Sequence, residues 1–236
     1  MAYKRILLKL SGEQLSGKHE AGIDAEVASF IAKEVKKVTD AGVQVAIVIG
    51  AGNLVRGAQI SGHGIKRVTG DHMGMLATLI NALALTDIFE ENGIATRCLS
   101  NIFADQVAEK FVHRLAHKHF ENGRVVIVAG GAGRPYMTTD TAAVVLALEM
   151  DCDVVLKATK FDGVYDKDPA KYDDATKLDS VSFDKALSDS AIKVMDKSAI
   201  GLAMEHAMKI VIFDAFKPDN TLKVTSGENI GTSIVN

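Results

Sequence analysis

The segment Val43-Gln-Val-Ala-Ile-Val-Ile49-Gly50 decides the fold class of this chain. Its almost continuous apolar run predicts a strand that is buried on both faces and that stops at Gly50. Upstream, Arg5–Leu10 predicts another strand, and Asp24 can cap a helix whose apolar residues recur at helical spacing. Buried strands separated by a helix are typical of a parallel sheet covered on both faces.

The rest of the chain repeats this alternation of strands and helices. Further strands are predicted at Ile94–Leu99, Val125–Ala129, Val154–Lys157, Ile210–Phe213 and Thr232–Val235. Helices are predicted at Asp71–Glu91, around residues 107–115, at Thr139–Glu149 and at Val194–Ala207. We therefore predict an α/β fold, a three-layer αβα sandwich with a central, mostly parallel sheet, formed by residues 1–236 as a single domain.

Composition and charge exclude several classes of protein. The 236 residues carry 27 Lys and Arg against 30 Asp and Glu, so the chain lacks the basic excess of a general nucleic-acid binder. Cys98 and Cys152 lie far apart among apolar neighbours, which predicts buried, reduced thiols. The apolar run Ile6–Leu8 is too short for a signal peptide or a membrane span. We expect a cytoplasmic protein with neither a nucleic-acid nor a membrane partner.

Four loops at the carboxyl edge of the predicted sheet form the candidate site, because ligands of such sheets bind there. They follow Leu10, Ile49, Ala129 and Lys157. Each loop taken alone has an ordinary alternative, namely a turn or a solvated surface. Four successive loops with ligand-type residues at one sheet edge favour a common binding site.

The first loop begins with Lys9 and a Ser11-Gly12 turn, whose ammonium and backbone N–H groups can meet a phosphate. The run Gly12–His19 nearly matches the P-loop pattern, but His19 replaces the hydroxyl residue that holds magnesium. Gly22 also follows where a P-loop would continue as a helix. We interpret the segment as a strand end and a turn rather than a P-loop.

The second and third loops are rich in glycine. In Gly50–Gly57, glycines permit close backbone approach to an anion, and Arg56 adds a planar donor suited to phosphate. The third loop, Gly130–Asp140, places three glycines before a helix that Thr139 or Asp140 can cap. For the second loop, the alternative is a plain turn between a strand and a helix. For the third loop, the alternative is simple capping of the helix, which does not explain the three glycines.

The fourth loop, Lys157–Pro169, combines Asp-Gly and Asp-Pro turns with charged and aromatic side chains. Tyr165 can stack on a base, and Lys160 and Asp168 can contact phosphate and sugar. A charged surface turn is the alternative.

Taken together, these segments resemble bacterial UMP kinases, a group within the amino-acid-kinase fold. The resemblance runs from residue 3 onward without a large gap and is carried by Tyr3-Lys-Arg-Ile-Leu-Leu-Lys-Leu-Ser-Gly-Glu13, Val48-Ile-Gly-Ala-Gly-Asn-Leu-Val-Arg-Gly57, Gly70-Asp-His-Met-Gly-Met-Leu76, Thr138-Thr-Asp140, Val155-Leu-Lys-Ala-Thr-Lys-Phe-Asp-Gly-Val-Tyr165 and Val194-Met-Asp196. It implies ATP-dependent phosphorylation of UMP to UDP in pyrimidine nucleotide biosynthesis. It also implies a UMP site in the N-terminal part and an ATP site mainly in the C-terminal part.

The resemblance implies roles for individual residues. Phosphoryl transfer would depend on Lys9, Arg56, Asp140 and Lys160, with Asp196 in support. ATP would be bound by Lys9, Leu10, Ser11, Gly12, Gly52, Arg56, Thr159, Tyr165 and Asp168. UMP would be bound by Ala51, Asp71, Ala132, Gly133, Arg134, Pro135, Tyr136, Met137, Thr138 and Thr139. Mg²⁺ would arrive with ATP, and no metal ligand is assigned to the protein itself.

The resemblance further implies a homohexamer with GTP as an activator and UTP as an inhibitor. The family position linked to the GTP response corresponds to Gly17, Lys18, His19, Glu20, Ala21 and Gly22. This chain departs from the usual pattern at Ala51, where a glycine is common, and at Arg134 in the UMP loop. Both departures concern the choice of base rather than the reaction.

Two alternatives stay open at this level. One is another kinase of the same fold with a carboxylate or carbamate acceptor, against which Gly70–Leu76 and Arg56 argue. The other is a non-catalytic assembly that binds nucleotides or oxyanions, against which Lys9 and Asp140 argue.

Overall fold

A computed structural model of the chain describes residues 1–55, 64–167, 171–189, 192 and 195–236. Within these residues nine strands form one sheet, in the spatial order β4 (Glu109–Lys110), β3 (Thr96–Ser100), β5 (Val125–Ala129), β2 (Gln44–Ile49), β1 (Arg5–Leu10), β6 (Val154–Thr159), β10 (Ile210–Asp214), β11 (Thr232–Val235) and β9 (Ser180–Ser182). Neighbouring strands are parallel except β10 and β11. The predicted mostly parallel sheet is therefore confirmed.

Helices cover both faces of this sheet, and a small antiparallel pair of strands stands apart from it. The helices are α1 (Gly12–Leu15), α2 (Ala25–Asp40), α3 (Arg67–Glu91), α4 (His113–Glu121), α5 (Thr139–Glu149), α6 (Phe183–Ser188), α7 (Lys197–Glu205) and α8 (Asn220–Thr225). The separate pair consists of β7 (Val164–Tyr165) and β8 (Lys177–Leu178).

The two faces of the central strands supply two separate hydrophobic cores. In β1, Ile6, Leu8 and Leu10 belong to the core beneath α2 and α3, whereas Leu7 belongs to the core beneath α5 and α7. Side chains of a strand alternate between the faces of the sheet, so Lys9 follows Leu7 onto the α5 side. This alternation directs a lysine at the end of a buried strand towards the first turn of α5.

The predicted cap of α2, Asp24, is confirmed, whereas α5 is capped by Thr138 rather than by the predicted Thr139 or Asp140. Asp24 Oδ1 accepts hydrogen bonds from the backbone N–H groups of Glu26 and Val27, which fixes the start of α2. Thr138 Oγ1 does the same for Asp140 and Thr141 at the start of α5. Both caps satisfy N–H groups that the first turn of a helix cannot pair internally.

Two helix predictions need correction. The predicted helix around residues 107–115 starts only at His113, because Glu109 and Lys110 pair in parallel with β3 as an edge strand. Helix α3 begins at Arg67, one turn before the predicted Asp71. The remaining predicted helix start, at Val194, lies outside the described residues, and α7 is observed from Lys197.

Helix α3 is long and apolar enough to cross a membrane by length and composition alone. However, its buried side chains, among them Leu79, Leu85 and Phe89, belong to the core beneath β2, β3 and β5. It is therefore a helix of the hydrophobic core.

Candidate active site

A cleft of about 240 Å³ opens at the carboxyl ends of β1 and β2, beside the first turn of α5. Three of the four predicted loops contribute to its wall. The lining residues are Lys9, Ser11, Gly12, Glu13, Gly50, Ala51, Gly52, Thr138, Thr139, Asp140 and Asp196. The sequence predicts convergence of four loops, and the first three meet in this cleft, whereas no residue of the fourth loop lines it.

A lysine–carboxylate–lysine cluster forms the charged part of the cleft. Lys9 on β1 pairs with Lys157 on β6 in the sheet register, so both side chains lie on the α5 side. Asp140, in the first turn of α5, receives both ammonium groups. Its Oδ1 lies 2.7 Å from Lys9 Nζ, and its Oδ2 lies 2.8 Å from Lys157 Nζ. One carboxylate thus holds two cations side by side at the cleft.

The electrostatics of the cluster follow from its burial. Burial by itself raises the pKa of the Asp140 carboxyl, but the charges of Lys9 and Lys157 outweigh it and hold that pKa below its usual range. Burial lowers the pKa of Lys157, the nearby Lys9 lowers it further, and Asp140 opposes both effects. Asp140 is consequently ionised at neutral pH and keeps the two lysines together.

Asp196 joins the helices α5 and α7 at the edge of the cleft. As the N-cap of α7 it accepts a hydrogen bond from the Ala199 N–H at 2.9 Å. It also accepts hydrogen bonds from the hydroxyls of Thr138 and Thr141 in the first turn of α5. The carboxylate of Asp196 therefore fixes the position of the turn that carries Asp140.

The loops after β1 and β2 lie in direct backbone contact. A Cβ atom at Gly12 would lie 2.6 Å from the Gly50 carbonyl oxygen, 2.7 Å from the Gly52 nitrogen and 2.5 Å from Asn53 Oδ1. Only glycine leaves space for this approach. The two glycine-containing loops form one continuous surface for this reason.

We expect Gly12→Ala to destabilise the protein by about 1–3 kcal/mol, the usual cost of forcing an extra methyl group into a packed interior. It should also lower kcat, because the loop must shift away from the cleft. Thermal or urea unfolding and initial-rate kinetics measure both effects. The matched control is Gly201→Ala, at a position in α7 where a Cβ meets nothing within 4 Å. The control should gain about 0.5–1 kcal/mol through a lower unfolded-state entropy.

Asp71 lies on α3 and connects that helix with the third loop. Its carboxylate accepts hydrogen bonds from Arg67 Nε at 2.8 and 2.9 Å and from the Tyr136 N–H at 2.8 Å. Burial opposes ionisation, but the Tyr136 N–H and Arg67 outweigh it, so the pKa of Asp71 is held below its usual range. Tyr136 has a φ of 66°, an uncommon backbone conformation for a residue with a side chain. The Asp71 contact thus fixes an unusual turn of the predicted UMP loop.

The same loop is held at its glycine end by two further polar contacts. Thr78 Oγ1 on α3 accepts the Gly130 N–H at 2.8 Å, and Asn101 Nδ2 donates to the Gly131 carbonyl at 2.6 Å. The predicted UMP-binding residues Ala132, Gly133, Arg134 and Pro135 lie between these contacts and the Tyr136 N–H that Asp71 binds, and Met137 follows directly after it. Arg134 is exposed in this loop.

The fourth loop lies at the end of β6, next to β10. The Thr159 hydroxyl donates to the Phe161 carbonyl at 2.6 Å and lies 3.2 Å from the Phe213 carbonyl. The Tyr165 hydroxyl donates to Asp162 Oδ1 at 2.8 Å. Lys160 is exposed. Two predicted site residues, Arg56 and Asp168, lie outside the described residues.

The predicted GTP region, residues 17–22, lies directly beside the second loop. The Gly22 N–H donates to the Asn53 carbonyl at 3.1 Å, and Asn53 Nδ2 donates to the Gly22 carbonyl at 2.7 Å. Lys18, His19 and Glu20 are on its solvent side, and His19 Nε2 lies 3.9 Å from Asp24 Oδ2.

Sequence reasoning did not single out Lys157 as a member of the charged cluster. A signal was available, since Lys157 interrupts a buried strand as Lys9 does, and the two strands are neighbours. It also missed Asn81, which is fully buried on α3 and hydrogen-bonded to Asn53 and to Gly50. Only the tertiary contacts identify that asparagine.

Comparison with known proteins agrees with this geometry. The sequence matches the amino acid kinase family over residues 4–214. It is 48% identical over 232 residues to a uridylate kinase of Dichelobacter nodosus, with 98% of this chain and 96% of the relative covered. It is 49% identical to a uridylate kinase of Sulfurovum sp., with 98% and 99% covered.

Among solved structures, a UMP kinase from Bacillus anthracis superimposes with a TM-score of 0.95 at 34% sequence identity, with 100% of this chain and 97% of that chain covered. Sequence and fold agree along nearly the whole length of these relatives. The chain therefore belongs to the amino acid kinase family and, within it, to the uridylate kinases.

Proposed function

We propose that this protein transfers the γ-phosphoryl group of ATP to UMP, which yields UDP and ADP in pyrimidine nucleotide biosynthesis. The observation that carries the proposal is the pair of lysines held on Asp140 beside two glycine loops. Kinship with uridylate kinases identifies the acceptor as a nucleoside monophosphate rather than a carboxylate or a carbamate.

Phosphoryl transfer requires alignment of the two substrates and compensation of the charge on the transferred group. Lys9 supplies a positive charge at the wall of the cleft, and Lys157 supplies a second one next to it through the shared Asp140. The N-terminus of α5, an eleven-residue helix, adds the positive end of a helix dipole. The attacking group is a phosphate oxygen, which is already ionised at neutral pH, so the reaction needs no general base.

The donor set of the cleft suits a magnesium ion that is carried mainly by the nucleotide. Both oxygens of Asp140 face ammonium groups, and Asp196 is occupied by two hydroxyls and a backbone N–H. Mg²⁺ commonly keeps several waters and binds substrate phosphates with few protein ligands. When bound, the ion would neutralise charge on the ATP phosphates. The protein residues then have to bind and orient the two nucleotides.

We assign the ATP phosphates to Lys9, Ser11, Gly12 and Gly52 and the adenosine side to the fourth loop with Thr159 and Tyr165. The UMP side consists of Ala51, Asp71 and the loop from residue 132 to residue 139. The proposed roles of three further residues rest on the sequence prediction alone. These residues are Arg56, Lys160 and Asp168. The N-terminal part of the single domain then holds UMP, and the C-terminal part mainly holds ATP.

The oligomer and the effectors remain proposals of the same kind. We propose a cytoplasmic homohexamer in which GTP activates and UTP inhibits. One support is that the chain belongs to the uridylate kinases. The other is the hydrogen bond between Asn53 and Gly22, which joins residues 17–22 to the second loop of the cleft. Initial rates measured against rising GTP or UTP concentrations test the two effectors.

A coupled assay of ADP release tests the function directly. With Mg²⁺-ATP, we expect rapid ADP release on addition of UMP, and little on addition of CMP, glutamate or aspartate. Release with an amino acid in place of UMP would support a carboxylate kinase. ATP binding without release for any acceptor would support the non-catalytic alternative.

We expect Asp71→Asn to raise the KM for UMP by about tenfold, while the KM for ATP changes much less, since an amide accepts hydrogen bonds less strongly than a carboxylate. One amide N–H would also face the Tyr136 N–H or Arg67, so the loop would lose a contact. Steady-state kinetics with each nucleotide varied in turn measure the effect. Asp87→Asn, at an exposed site further along α3, is the control. An unchanged KM for UMP would contradict the assignment.

A further inference from the structure

Two buried amides, Asn53 and Asn81, form a reciprocal hydrogen-bonded pair behind the cleft. Asn53 Nδ2 donates to Asn81 Oδ1 at 2.9 Å, and Asn81 Nδ2 donates to Asn53 Oδ1 at 2.8 Å. Asn53 is 3% exposed and Asn81 is 0% exposed. Neither side chain belongs to the charged cluster.

The second N–H of each amide donates to a loop carbonyl. Asn53 Nδ2 donates to Gly22 at 2.7 Å, and Asn81 Nδ2 donates to Gly50 at 2.8 Å. All four amide N–H groups are thereby paired, as burial of a polar side chain requires. A fully paired polar network of this kind is stiff, because no member can turn without leaving a buried group unpaired.

The contact with Gly50 has a consequence for the next residue. In a planar trans peptide the carbonyl of one residue and the N–H of the next point in opposite directions. Asn81 holds the Gly50 carbonyl on the α3 side, so the Ala51 N–H points away from α3. Ala51 lines the cleft, where an anion would meet that N–H.

The amide pair also joins four parts of the fold. Asn81 lies on α3, the helix that carries Asp71, and Asn53 contacts both the Gly22 loop and the close approach at Gly12. A change in any of these parts would therefore reach the Gly50–Ala51 peptide. Helix α3 thus supports the second loop from behind in the way that Thr78 supports the third.

We propose that Asn81, through its pairing with Asn53, is a positioning residue that orients the Gly50–Ala51 peptide so that the Ala51 N–H binds a phosphate oxygen of the substrates. This inference deepens the proposed function and rests on it for the identity of the nucleotides. Neither amide touches substrate. Their effect on the reaction passes through the backbone of the second loop.

The wild-type protein provides the first test. Backbone ¹H–¹⁵N spectra are recorded with ATP, with UMP, with inorganic pyrophosphate and with uridine, which has the base and ribose but no phosphate. We expect the Ala51 amide to shift downfield and to exchange more slowly with at least one phosphate compound, and to respond little to uridine. An Ala51 amide that is indifferent to all of them would overturn the proposal, whether or not the enzyme turns over UMP.

Variants at position 81 provide the second test. Asn81→Ala removes both donors, and Asn81→Asp removes the amide nitrogen while it keeps the shape of the side chain. Asn92→Ala is the control, because Asn92 lies at the end of the same helix and its amide also donates to a backbone carbonyl, that of Ile88. We expect kcat/KM to fall by about tenfold or more in the position-81 variants, as for the loss of a hydrogen bond that positions a site, and to stay near wild type in the control.

A purely structural role predicts different results. It would lower the melting temperature and leave the kinetics of the folded fraction and the ratio of UMP to uridine affinity unchanged. A positioning role predicts that the affinity for UMP falls while the affinity for uridine stays nearly constant. If the wild-type protein released no ADP with UMP, the proposed function would be refuted. The response of the Ala51 amide to phosphate compounds would still test the positioning role of Asn81.

Discussion

Lys9→Ala is expected to lower kcat by about 100-fold or more, the loss typical of removing one preorganised donor from a site that stabilises developing negative charge. Lys9 is the penultimate residue of β1, lies on the α5 side of the sheet and reaches the cleft with its ammonium 2.7 Å from Asp140. The strand backbone fixes its position before the substrates arrive. No described neighbour on β1 carries a charge into the cleft in its place.

The variant should remain folded, which makes the kinetic loss interpretable. Asp140 keeps Lys157 as its ion-pair partner at 2.8 Å, so the carboxylate is not left without a cation. Single-turnover rates with saturating nucleotides, combined with thermal unfolding, separate the two effects. Lys36→Ala is the matched control, because Lys36 is partly exposed on α2 and its ammonium pairs only with Asp40 among the described residues. Near-normal turnover of Lys9→Ala would show that Lys9 is not needed to stabilise the transferred phosphoryl group.

Asp140→Asn is expected to reduce both activity and stability. The neutral amide would leave two buried ammonium groups next to each other, and breaking a buried ion pair on one side costs about 3–5 kcal/mol. We expect kcat to fall by about 100-fold as well, since the lysines would separate and lose their alignment in the cleft. Urea unfolding and initial rates measure the two losses. Asp40→Asn, on the surface of α2, should change neither by a comparable amount.

The same carboxylate predicts a dependence of stability on pH. The pKa of Asp140 in the folded protein lies below the ordinary value of 3.8, so its ion pairs contribute their full stabilisation above that value. The contribution is lost as the pH falls through the lower, folded pKa. Wild type should therefore lose stability relative to Asp140→Asn on acidification below about pH 4. An equal pH dependence in both proteins would show that the ion pairs contribute little.

Much of the site could be predicted because its residues lie next to strong local signals. Lys9 lies next to the end of an apolar strand, Asp140 lies in the first turn of a helix, and glycines follow β2 and β5. The period of two along β1 also determines that Lys9 shares a face with Leu7. These features depend on neighbours in the chain and on the geometry of a strand or a helix.

The errors have a different physical origin. The predicted helix around residues 107–115 is partly an edge strand, since Glu109 pairs with Leu99 of β3, and no local pattern reveals that pairing. Lys157 meets Asp140 only because β1 and β6 are neighbours in the sheet. Asn81 is wholly buried on a long apolar helix, and no local pattern in the sequence indicates that burial.

By itself the sequence determined the α/β class, the edge of the sheet at which ligands bind, and the candidate phosphate-binding loops. These follow from hydrophobic period, from helix capping and from the conformational freedom of glycine, all of which are local. The tertiary structure decided which charges meet and what holds the loops. Two lysines share one carboxylate because two parallel strands end side by side, and the second loop has its orientation because an amide on α3 reaches its carbonyl. Contacts between residues far apart in the chain depend on strand order and helix packing, which local patterns do not specify.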